Sequence, residues 1–327
     1  MNRLLAALFL LALTFWVPSP SVLAQGKEES FWANGNPKVL GFYDRKKYKD
    51  REWKEWYENG QLKKSEFFLH GRRNGLVAEY YENGQLKYQH TYRPDASFNG
   101  SMVADGLWTE FHANGQKMKE GHYQNGAREG AWKEWYANGN LKTDEVLQNK
   151  KRTGAFAEFY EDGKPKTKGN YEADEKRGAW EEWHPNGQLL KKETFNDAGK
   201  LEGPVTVFYA NGQKKSEGTY RNSAKVGLWS EWHENGNPKI VAYYQDATLI
   251  GPYAEWHENG AKSLETTYAS RQMNGAFKEW HDNGQLKTQG NYAGSLKDDA
   301  WFYFDRSGTK TKETLYKNGK KTGEKAF

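Results

Sequence analysis

Residues 55–63 read Glu-Trp-Tyr-Glu-Asn-Gly-Gln-Leu-Lys (EWYENGQLK), and nearly the same phrase returns along the whole chain. An Asn-Gly step, or a close substitute, starts at Asn34, Asn59, Asn83, Asn114, Asn138, Asp162, Asn186, Asn211, Asn235, Asn259, Asn283 and Ser307. The spacings are 25, 24, 31, 24, 24, 24, 25, 24, 24, 24 and 24 residues. A fixed period in this range marks a repeat array and overrides any residue-by-residue fold assignment.

Counting from each Asn as zero, position −3 is aromatic in every copy, from Phe31 and Trp56 to Trp280 and Phe304. Trp56, Trp135, Trp183, Trp232, Trp256 and Trp280 mark the repeat most plainly at that place. Position −4 is usually Glu, as at Glu55, Glu134 and Glu279, and −2 is usually Tyr or His. Position −6 is usually aromatic or Val, position −8 is Gly from Gly75 to Gly275, and +9 is apolar throughout, as at Tyr220 and Tyr268.

Asn-Gly between aromatic-rich runs is a strong hairpin signal, because both residues tolerate the positive φ of a two-residue turn. Each repeat is therefore expected to be one β-hairpin, with a second turn of about seven residues leading to the next. A two-residue turn sets −8 opposite +9, each Gly facing an aromatic ring. A three-residue turn with a G1 bulge shifts that pairing by one. No helix-period stripe is sustained in the mature chain. The expectation is an all-β fold, an extended antiparallel meander of about twelve stacked hairpins forming a solenoid-like ribbon.

Hydrophobic residues make up 36% and charged residues 28% of the chain, a balance that leans toward disorder. The 14 Trp, 20 Tyr and 16 Phe, strictly placed about each turn, argue instead for an ordered, thin structure. The formal charge of +5 is mild and evenly mixed, with no basic stripe of the kind nucleic-acid binders carry. Without cysteine there is no disulfide, thiolate metal site or cysteine nucleophile. Residues 1–24 read as a signal peptide: Arg3, an apolar run from Leu4 to Val17, Pro18 and Pro20, then Val22-Leu23-Ala24 before Gln25. That run is shorter than the ~20 apolar residues of a spanning helix, which disfavours an uncleaved anchor. The reading is export to the periplasm or beyond, with residues 25–327 as one repeat array.

The unit Gly130-Ala131-Trp132-Lys133-Glu134-Trp135-Tyr136-Ala137-Asn138-Gly139 resembles the variant form of the MORN repeat (membrane occupation and recognition nexus). The resemblance runs from about Phe31 to Gly323. It implies a hairpin array serving as a scaffold or binding surface, with no chemistry of its own. Many bacterial members of this class are labelled antitoxin components, a role that sits poorly with an export signal.

No residue set points to catalysis. Glu134 and Glu158 are candidates for a carboxylate pair, but a glycosidase needs its two acids in different environments. Equivalent positions in successive hairpins share one environment and lie ~9.6 Å apart. Pairing of the Glu column with Lys63, Lys64, Lys87 or Lys191 is the simpler reading. His112, His184, His233, His257 and His281 share one column, whose spacing is too wide for ligands ~2.0 Å from one zinc. Neither a metal nor a cofactor is expected.

The chain departs from its own pattern between Tyr92 and Gly106, a step of 14 residues where 7 is usual. Pro94, Asp95, Phe98, Asn99 and Met102 supply a turn and two apolar anchors that the repeat does not need, which makes them the candidate partner-binding residues. The functional expectation is a non-enzymatic scaffold presenting an aromatic and charged surface to another protein. A cell-envelope glycan is the second reading. A membrane surface comes third, disfavoured by the balanced Glu and Lys content, together with an antitoxin or immunity-type inhibitor.

Overall fold

The structure is a computed structural model that describes residues 26–94 and 102–327. The proposed signal peptide, residues 1–24, lies outside the described residues. Two compact units are present, within residues 1–103 and 104–327. They divide at the irregular connection.

The first unit runs Gly26–Phe31, Pro37–Tyr43, Lys49–Trp56, Leu62–Leu69, Arg72–Tyr80 and Leu86–Pro94, each strand antiparallel to the next. The second is the same meander from Gly106–Phe111 to Lys320–Ala326. The expected all-β antiparallel meander of hairpin repeats is the observed fold.

The turns differ from expectation in an instructive way. At Asn138 the Tyr136 N–H donates to the Asn140 carbonyl at 2.9 Å and the Gly139 N–H to the Tyr136 carbonyl at 2.9 Å. Three residues, Ala137, Asn138 and Gly139, are thus enclosed, and only the glycine takes positive φ, at 88°. This is a type I turn with a G1 bulge, and the asparagine stays at negative φ. The one-residue shift that such a turn imposes is then undone. Trp135 pairs with Leu141 but Glu134 with Thr143, so Lys142 bulges out and Gly130 still faces Leu147. The expected pairing of −8 with +9 holds for a reason that the sequence reading did not foresee.

The second turn, expected at about seven residues, is a two-residue hairpin turn. Gln148 pairs with Lys151 across Asn149 and Lys150, whose φ values are 52° and 67°. Both positive values define the type I′ turn that the reading had placed at Asn-Gly. The two 25-residue spacings have a local cause. Asp44 to Tyr48 and Asn196 to Lys200 close the second turn with three-residue loops, one residue longer than the rest.

Strand alternation sorts positions −8, −6 and −4 with +5, +7 and +9 onto one face, and −7 and −5 with +6 and +8 onto the other. The core lies on the first face. Trp53, Trp132, Trp180, Trp229 and Trp301, all at −6, are buried. The −3 tryptophans singled out from the sequence are only half-buried.

Candidate functional site

The core face is built by matched sizes. At position +7 stand Gly41, Gly121, Gly169, Gly218 and Gly290, and the −6 residue of the following repeat is in each case Trp. The indole lies flat on the glycine, so that a Cβ added to Gly169 falls 2.2 Å from Cδ2 of Trp180. Trp180 is held edge-on by Tyr171 at 4.9 Å, its Nε1 donates to the Asn170 carbonyl, and Lys176 Nζ sits 4.2 Å above the ring. Lys49, Lys225 and Lys297 repeat the cation contact, with Arg128 over Trp132. Sequence reasoning missed both columns, though each was visible as a Gly 11 or 12 residues before a Trp and a cation four residues before it.

Two hydrogen-bond ladders tie successive repeats at the Asn-Gly edge. The −2 ring donates to the carbonyl of the next −3 residue. Tyr136, Tyr160 and Tyr209 use their hydroxyls, to Phe159, Trp183 and Trp232. His112, His184, His233, His257 and His281 use Nε2, at 2.9–3.1 Å from the carbonyls of Trp135, Phe208, Trp256, Trp280 and Phe304. A carbonyl only accepts, so each Nε2 carries a proton, and Tyr and His interchange because both offer a ring donor. The turn asparagine adds a second rung: Asn138 Nδ2 donates to the Glu161 carbonyl at 2.8 Å while its Oδ1 accepts the Asn140 N–H. Asp162 lacks the donor, and Lys164 Nζ reaches the Pro185 carbonyl instead. The last repeat has Asp305 at −2, which accepts from Ser307 and Thr309 rather than donating onward.

The glutamates considered for acid chemistry are ion-paired. Glu134 and Glu158 both flank Thr143, with Lys119 and Lys166 each 2.7 Å away. The bond to Glu158 raises the Lys166 pKa. Burial alone would raise the Glu79 pKa, but bonds from Lys87 and Tyr88 hold it low. Lys87 and Lys191 pair within the Glu column as expected, whereas Lys64 serves Glu66 and Lys63 lies over the Tyr57 ring. Among the described residues no three His, Asp or Glu side chains converge as metal ligands would.

Of the candidate partner-binding residues, Pro94 ends its strand exposed and Met102 opens the short strand Met102–Ala104 half-buried. Asp95, Phe98 and Asn99 lie outside the described residues. The structure draws attention elsewhere, to the face opposite the tryptophans in the second unit. Leu228 and Tyr243 are cross-strand neighbours there, 48% and 39% exposed. On one side is a groove of about 390 Å³ floored by Val241, Pro252, Ala254 and Ala276, with Glu265 and Lys278 on its walls. A second groove, of about 430 Å³, is floored by Val146, Ala155, Ala157 and Ala179, with Asp144, Lys168 and Glu181 around it.

A family profile matches the chain repeat by repeat. The family profile described as MORN repeat variant matches residues 24–45, 52–70, 73–93, 104–125, 128–149, 152–173, 176–197, 201–222, 225–246 and 273–293. No curated protein matches. Similar solved structures include one titled TcdB2-TccC3, at 11% identity and TM-score 0.20, and one titled TcdB2-TccC3-Cdc42, at 10% and 0.15. They cover 89% and 90% of this chain, which spans 17% and 22% of theirs.

Proposed function

The chain belongs to the MORN repeat variant family, and on that premise we propose that it is an exported, non-enzymatic scaffold that binds a protein through the face opposite its tryptophan core. The observation that carries this reading is the exposed Leu228–Tyr243 pair beside one shallow groove with an apolar floor and charged walls, with a second such groove farther along the same face. Contiguous apolar surface with a polar rim is the anatomy of a protein interface. Export rests on the pattern from Arg3 to Ala24. The absence of enzymatic activity rests on the ion-paired, mutually equivalent glutamates.

A glycan partner draws less support. Sugar-stacking aromatics need free faces, whereas the −6 indoles of Trp53, Trp132, Trp180, Trp229 and Trp301 are buried and Lys117, Lys168, Lys214 and Lys262 lie 5.6–5.8 Å from the −3 rings of Trp135, Trp183, Trp232 and Trp280.

The test is a double variant, Leu228→Lys with Tyr243→Lys, compared with wild type for a protein captured from an envelope fraction. The reading requires unchanged circular dichroism and melting together with at least about tenfold weaker capture, or 1.4 kcal/mol. Full affinity in the folded variant would remove this face as the interface. Mass spectrometry of the exported form should find Gln25 at its start, and an intact Met1 there would contradict processing.

A further inference from the structure

The repeated turns carry a chemical liability. In an Asn-Gly step the glycine nitrogen can attack the amide carbon (Cγ) of the asparagine, because glycine has no side chain to obstruct the approach. The new bond from nitrogen to Cγ closes a succinimide ring as the bond from Cγ to Nδ2 breaks, and Nδ2 departs as ammonia. Water then opens the ring to aspartate or isoaspartate. The balance is amide plus water giving acid plus ammonia, with no oxidant or reductant.

The ladder opposes this reaction. Attack requires the asparagine to turn its Cγ toward the following nitrogen. In the ladder the amide is held at both ends. Asn211 Oδ1 accepts the Gln213 N–H at 2.9 Å and Nδ2 donates to the Glu234 carbonyl at 2.9 Å. Asn59 and Asn138 are held alike. Two bonds must break before Cγ can move.

Asn318-Gly319 stands outside the ladder. It forms a type I′ turn, with φ of 50° and 76°, between Lys310–Lys317 and the terminal strand Lys320–Ala326. Asn318 is exposed, and its side-chain carboxamide makes no hydrogen bond among the described residues. Its strand neighbour Lys320–Ala326 is almost wholly exposed, the kind of element that opens most readily. Lys317, Lys320 and Lys321 flank the step in sequence, and positive charge favours the deprotonated amide nitrogen that attacks, against one carboxylate, Asp298, whose Oδ1 accepts the Asn318 N–H at 3.1 Å. The Gly319 N–H donates to the Lys297 carbonyl at 2.8 Å, but ladder glycines are bonded likewise, as Gly139 is to Tyr136. That bond therefore does not distinguish them.

Asn125-Gly126 shares the exposed type I′ turn, with φ of 51° and 77°, but joins two strands inside the array, Lys117–Gln124 and Ala127–Trp135, and lacks the exposed terminal strand. The remaining steps lack one of these features. Asn149 occupies the same turn type but is followed by Lys150, whose side chain hinders attack. Asn274 Oδ1 accepts the Gly294 N–H at 3.4 Å, and Asn74 is half-buried in Arg72–Tyr80. We propose that Asn318 is a site of spontaneous deamidation, converting well ahead of the ladder asparagines. The product adds a negative charge to a basic hairpin, and as isoaspartate it lengthens the backbone within the turn.

The experiment incubates the full-length protein at mildly alkaline pH, folded and in urea, and follows each Asn-Gly peptide by mass spectrometry and isoaspartyl methyltransferase labelling. In the folded protein Asn318 should convert at least about tenfold faster than Asn138 or Asn211, equivalent to 1.36 kcal/mol of barrier. In urea the three should convert at similar rates, which shows that the folded state makes the difference. Equal rates in the folded protein would overturn the proposal. So would an Asn318 that resists conversion when folded.

Discussion

Two neighbouring parts of the second unit solve one packing problem in opposite ways. Around residue 169 the +7 position is Gly, and Trp180 lies on it, 1% exposed, with Phe156, Tyr171 and Phe195 about its ring. One repeat later the +7 position is Glu193, and the −6 residue that follows is Val205. Glu193 is buried too, with Lys191 at 3.0 Å and Lys176 at 3.6 Å. Burial alone would lower the Lys191 pKa, yet its bonds to Glu193 and Glu182 hold it raised. The backbone is alike in both places. What varies is how the volume above the strand is filled, by one indole or by a carboxylate and the lysines that neutralise it. In the first unit Glu66 pairs across the strands with Val77 and bonds to Lys64 and Arg73, the same solution as at Glu193.

The comparison can be strained from both sides. Trp180→Ala should have the largest effect, about 3–5 kcal/mol by chemical denaturation, because the cavity opens among rings that cannot collapse onto it. A loss no larger than that of the half-buried Trp183→Ala would place the core in the −3 column after all.

A third occupant of the +7 column, His90, tests the same volume by pH. Burial, with Arg73 and Lys64 nearby, pushes its pKa down from 6.5 to about 4. The unfolded protein then binds a proton that the folded protein refuses. Its contribution is fully present above pH 6.5 and is lost as pH falls toward 4, to about 3 kcal/mol. Melting of wild type and His90→Phe across that window should show the slope in wild type and a flatter line in the variant.

Gly169→Ala should cost less, about 1–3 kcal/mol, as Trp180 is forced from its rotamer. Smaller still is the edge ladder, which is indifferent to the type of core. Tyr160→Phe and His184→Phe each remove one ring donor to a carbonyl and should each cost about 1 kcal/mol. Markedly unequal losses would mean that the ladder and the core are not independent.

The hairpin meander was legible because the aromatic and Asn-Gly columns keep a fixed register through every repeat. Which turn took which geometry was not. Asn-Gly suits two turn types, and the choice is made by the inter-repeat hydrogen bonds of Asn138 and its equivalents, which no single repeat reveals. Strand periodicity sets Trp180 and Trp183 on opposite faces but not which face is the core, since aromatics line both; only the glycine on the adjacent strand shows which ring is buried. The candidate interaction face was hidden for a related reason. Leu228 and Tyr243 are 15 residues apart and read as ordinary strand residues until their pairing sets them side by side.

The central claim is that the +7 residue and the next −6 residue are chosen together for size. A double-mutant cycle on Gly169→Ala and Trp180→Val, read by urea unfolding of the full-length protein, tests it most directly. Alanine at 169 should be costly beneath the indole and nearly neutral in the Trp180→Val background, a coupling of about 1–3 kcal/mol. Additivity within about 0.5 kcal/mol would contradict the account.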